Sequence, residues 1–72
     1  MVNTQDKIIT LSISYNPKSG LSRERFALYR NGMTVREYCD AVNALGGRQF
    51  GKGLPDIRWD AQRSFIMLSD PR

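Results

Sequence analysis

The chain has 72 residues, a formal net charge of +4, one cysteine and no histidine. One cysteine excludes a disulfide within the chain. With no histidine beside it, there is also no Cys/His set for a zinc site and no imidazole to act as a general base. A basic balance in a chain long enough for one small domain (1–72, ends at 1–6 and 70–72 expected to fray) favours a polyanionic partner over catalysis.

Lys7 to Tyr15 reads as the first strand. Ile9, Leu11, Ile13 and Tyr15 alternate with Thr10, Ser12 and Ser14, so one face is apolar and the other polar. Asn16-Pro17-Lys18-Ser19-Gly20 has the composition of a turn. Leu21 to Asn31 admits two readings. As a helix it takes Ser22 as N-cap and Asn31-Gly32 as its stop, with Phe26, Tyr29 and Met33 on one face. As a strand, Arg25 to Arg30 pairs back on the first strand, but over a connection longer than common hairpin loops. The helix is favoured.

The clearest element follows. Thr34 and Glu37 have the spacing of a capping box, and Met33 and Tyr38 that of a hydrophobic staple. Val35, Tyr38, Cys39, Val42 and Leu45 recur with helical period. Gly46 supplies a stop. Gly46 to Gly53 then holds four glycines in eight residues and reads as a loop, ended by Leu54-Pro55. Ile57 to Trp59 and Phe65 to Leu68 read as two short strands around a turn that begins at Asp60.

The expected fold is therefore α+β in the order β-α-α-β-β. A small antiparallel sheet, made of the N-terminal strand and a C-terminal hairpin, is covered by one or two helices. In element order alone the layout resembles a winged helix, and a likeness at that level carries no function.

Catalytic motifs are missing from the pattern. Cys39 lies on the apolar side of its helix and is expected to pack as a small hydrophobe. Asp56 and Asp60 are expected in capping and turn roles. Gly51-Lys52-Gly53 lacks the strand–loop–helix frame of a phosphate-cradling loop. Trp59 should share the inner face with Ile57. The exposed side of the Thr34-capped helix mixes Arg36 with Glu37 and Asp40, a poor face for a phosphate-lined groove, and no later helix is evident to take that task.

The expectation is thus a non-enzymatic binder without cofactor or metal. The first reading is a nucleic-acid-binding accessory or regulatory protein that uses Arg48, Lys52, Arg58 and Arg63, with Lys18 and Arg23, from loops and hairpin. The alternative is a protein-interaction module of phage or plasmid type, an adaptor or an inhibitor of a host-defence nucleoprotein complex. There Phe50, Gln49 and Tyr29 would meet the partner. A homodimer formed through sheet edges is compatible with either. The polar first residues do not read as a signal peptide and no segment has the length of a membrane span, so a cytoplasmic setting without a membrane partner is expected.

Overall fold

The computed structural model describes residues 3–71; residues 1, 2 and 72, part of the ends expected to fray, lie outside them. The order is β1 (Ile8–Leu11), α1 (Gly20–Phe26), α2 (Val35–Leu45), α3 (Gly53–Gln62) and β2 (Ile66–Ser69), with single 3-10 turns at Thr4–Asp6 and Gly47–Gln49. The fold is α+β, and its sheet is antiparallel and joins the N-terminal strand to the C-terminal one. The register sets Ile9 opposite Leu68 and Leu11 opposite Ile66.

One expected element is replaced. Ile57 to Trp59 is not the first arm of a hairpin but the middle of α3, so β2 pairs with β1 instead of with a neighbouring strand. Pro55 sits in the first turn of α3, where its missing N–H costs nothing. Behind it, Gly53, Ile57 and Asp60 recur at helical spacing and are all buried. The charged member of that buried stripe hides its apolar period, and over three residues Ile-Arg-Trp imitates strand alternation.

The Thr34-capped helix forms as its signals specify. Thr34 Oγ1 accepts from Glu37 N at 3.1 Å, and Glu37 Oε1 accepts from Thr34 N at 2.8 Å. Val35, Tyr38 and Val42 are buried, Cys39 is half-buried, and Leu45 at the last turn is exposed, unlike the stripe expectation. Gly46 closes the helix at a φ of +70°, in the region that favours glycine.

Residues 20–26 are helical, as favoured, but the helix is shorter than 21–31 and Ser19, not Ser22, is its N-cap. The first strand is also shorter than 7–15. Its other edge is covered by residues 32–34, since Ile9 N donates to Met33 O and Gly32 N to Ile9 O. The core lies between the inner face of the sheet (Ile9, Ile66) and the helical side, with Phe26, Tyr29, Val35, Tyr38, Val42 and Ile57. Tyr29 and Tyr38 stack in its middle, ring centroids 4.1 Å apart and 9° from parallel. Among the described residues no helix is long and apolar enough to cross a membrane.

Candidate nucleic-acid interface

The segment from Gly46 to Arg63 is built to point its cations outward. After α2 the chain reverses through Gly46 and Gly47 into the 3-10 turn. Gln49 anchors that turn from inside. Its Oε1 accepts from Arg25 Nη1 at 2.6 Å, and its Nε2 donates to Glu24 Oε2 at 3.1 Å. Gly51 N donates to Asn43 Oδ1 at 2.9 Å, which ties the end of the turn to α2. With Gln49 held inward, its neighbours Arg48 and Phe50 face solvent, and the Phe50 ring is 67% exposed.

The same separation continues through α3. Residues three or four apart share a helix face, and here the inner face holds Gly53, Ile57 and Asp60. Pro55, Arg58, Trp59 and Gln62 are exposed, as are Lys52 and Arg63 at the two ends. Trp59 is thus half-exposed at 50%, where a core anchor was expected. Arg63, one turn on, lays its guanidinium 3.8 Å from the centre of the Trp59 ring.

Both acids of the segment are drawn into the protein. Asp56 takes a two-pronged contact from Arg25, Nε to Oδ2 at 2.5 Å and Nη2 to Oδ1 at 3.2 Å, and a hydrogen bond from Tyr38 Oη at 3.1 Å. Asp60 is 1% exposed. Its Oδ2 accepts from Tyr29 Oη at 2.7 Å, and its Oδ1 forms an ion pair with Lys18 Nζ at 2.7 Å and has no other polar partner among the described residues. Lys18 is carried there by Asn16, whose Oδ1 accepts from Lys18 N and whose Nδ2 donates to Arg23 O. Neither acid therefore faces solvent beside Arg48, Lys52, Arg58 or Arg63. None of these four cations has an ion-pair partner among the described residues.

Placement divides the expected site residues. Arg48, Lys52, Arg58 and Arg63 come together along one segment, on a helix face and the turn before it and not on a hairpin. Arg23 is exposed on α1, with its Nη1 3.4 Å from Lys18 O. Lys18, whose side chain is 13% exposed, is spent on Asp60 and is not an open phosphate contact. Gln49 and Tyr29 are buried and hydrogen-bonded inside, so of the expected partner-binding set Phe50 alone is presented to solvent. The inward roles of Asp56 and Asp60 are the part that sequence reasoning missed. Their four-residue spacing, in phase with Gly53 and Ile57, was the available signal.

Tyr29, Tyr38 and Cys39 are held in their protonated forms. Burial, with Tyr38 alongside, pushes the Tyr29 phenol well above its ordinary range, and burial with the Asp56 charge does the same to Tyr38. Burial also raises the Cys39 thiol, the direction opposite to nucleophile activation. The hydrogen bond to Asp56 raises the pKa of Arg25, so the guanidinium stays charged. Among the described residues no group of three or more acidic, cysteine or histidine side chains could hold a metal ion. No protein-family model, curated protein or solved structure matches the chain.

Proposed function

We propose that the chain is a non-enzymatic nucleic-acid-binding protein of accessory or regulatory kind. Its contacts are made by Arg48, Lys52, Arg58 and Arg63 on the outward face of α3 and the turn before it. One observation carries this reading: four exposed cations share a segment whose two acids are turned inward and neutralised by Lys18 and Arg25. A face of this kind attracts phosphates without a carboxylate of its own segment to oppose them. The outer side of α2, with Glu37 and Asp40 exposed, does not.

Labelled duplex and single-stranded oligonucleotides titrated over a range of salt test the proposal. Three phosphate contacts correspond to a slope of log affinity on log salt of about −2 to −3. Replacing Arg48, Lys52 and Arg63 together by alanine should remove most of that slope, while Arg30→Ala, in the segment after α1, leaves it unchanged. Flat titrations at low salt with micromolar protein would refute the proposal.

The exposed Phe50 ring favours a second reading, a module that docks on a protein or a nucleoprotein complex. In that case Phe50→Ala abolishes capture of the partner and neutralising the cations has little effect.

A further inference from the structure

Resting on the reading above, we infer that the nucleic acid is duplex DNA and that α3 enters its major groove, with Arg58 and Gln62 facing base edges. Lys52, Arg63 and Arg48 hold the flanking phosphates.

The shape of the face comes first. α3 runs from Gly53 to Gln62, about 15 Å at the usual rise of a helix. Its outward arc carries Pro55, Arg58, Trp59 and Gln62, with no acid among them. A helix of this size fits the major groove of B-DNA, about 12 Å wide.

The chemistry along that arc is graded. Arg58 and Gln62 stand one turn apart, and neither side chain makes a hydrogen bond or ion pair among the described residues. Both can form two hydrogen bonds at once to a single base, the arginine to guanine and the glutamine to adenine. Arg63 and Lys52, at opposite ends of the helix, suit the sugar–phosphate backbone on either side. Arg48, on the preceding turn, extends that row.

The mounting of α3 agrees with a reading role. Base readout needs a helix held in one orientation. Here three contacts fix it from behind: Asp56 on Arg25, Asp60 on Lys18 and Tyr29, and the backbone of Gly53 against Cys39. A Cβ placed on Gly53 would lie 2.9 Å from Cys39 Cα and 2.8 Å from its Sγ.

Other forms of nucleic acid fit less well. Single strands are commonly bound on platforms where successive bases stack on aromatic rings. The outward face of this sheet offers Thr10, Met67 and Ser69 instead. Of the two exposed aromatics of the interface, Trp59 already has Arg63 over its ring, and Phe50 stands on the turn before α3 with no second ring beside it, among the described residues, for successive bases. The major groove of duplex RNA is too narrow and deep for side chains on a helix to read.

The test is selection of bound duplexes from a randomised DNA library with the full chain. Affinities for the selected site, a scrambled duplex, its single strand and the matching RNA duplex are then measured at one fixed salt concentration. The inference expects an enriched site bound about tenfold or more above the scrambled duplex. Arg58→Ala and Gln62→Ala should each remove much of that preference and change binding to the scrambled duplex far less. Arg48→Ala should weaken both duplexes by the same factor. Circular dichroism melts of these surface variants should match the parent and exclude unfolding as the cause. No enrichment, enrichment that survives both Arg58→Ala and Gln62→Ala, or tighter binding to single strand or RNA overturns the inference and leaves nucleic-acid binding standing. Failure to bind any of the four probes overturns both.

Discussion

Asp60 has a lysine on one carboxylate oxygen and a tyrosine on the other, in a place where water does not reach it. Its charge is tolerable only because both oxygens are met, and removing one partner of such a pair exposes the full cost of the other. Asp60→Ala strands Lys18 at the edge of the core and should lower the free energy of unfolding by about 3–5 kcal/mol in urea titrations. Tyr29→Phe leaves the ion pair and the ring stack in place and should cost about 1–2 kcal/mol. The buried tyrosines also predict a pH dependence. Both phenols have pKa values raised by folding, so the folded chain keeps protons that the unfolded chain releases near pH 10. Their contribution is complete below about pH 10 and falls as pH rises beyond it, by up to about 1.4 kcal/mol per pH unit for each tyrosine. Urea unfolding at a series of pH values from 9 to about 11.5 checks the sign, and in the Tyr29→Phe, Tyr38→Phe double variant the loss should shrink to the part contributed by the raised Cys39 thiol.

Elements were legible in the sequence where their signals are local. α2 carries its cap, its stop and most of its apolar stripe within its own residues, and its predicted start coincides with the observed one. β1 was visible through alternation, although the strand shortens because pairing with β2 ends at Leu11. α3 was not legible, for a reason visible in its contacts. Its inner face contains Asp60, and its outer face contains Trp59, so polarity and burial are exchanged at two adjacent positions. What makes Asp60 fit is Lys18 and Tyr29, which are 42 and 31 positions away along the chain, and no local pattern encodes that. The junction between α2 and α3 gives a further prediction. Gly53 is buried against Cys39, and an added methyl group would meet not only its Sγ, at 2.8 Å, but its backbone Cα, at 2.9 Å, which cannot turn aside. Gly53→Ala should destabilise the protein by about 1–3 kcal/mol despite the better helix propensity of alanine. Thermal melts measure it; an unchanged or higher midpoint would mean that the two helices can separate at little cost.

At the scale of the whole molecule, charge is sorted by position. Among the described residues four cations are used in ion pairs, Lys7 with Asp70, Lys18 with Asp60, Arg25 with Asp56 and Arg36 with Asp6. These pairs take up four of the seven acids. The remaining acids, Glu24, Glu37 and Asp40, lie on α1 and α2. Of the described cations outside these pairs, Arg23 and Arg30 lie on α1 and just after it, and the other four, Arg48, Lys52, Arg58 and Arg63, lie on α3 and the turn before it. That surface is contiguous in sequence, and the hairpin on which part of it was expected does not exist. The most direct test of the account is amide chemical-shift mapping of the labelled protein as a short DNA duplex is added. Shifts concentrated between residues 48 and 63, fading as salt is raised, are the result expected. Shifts centred on the outer face of the β1–β2 sheet or on the exposed side of α2, with α3 unmoved, would contradict it.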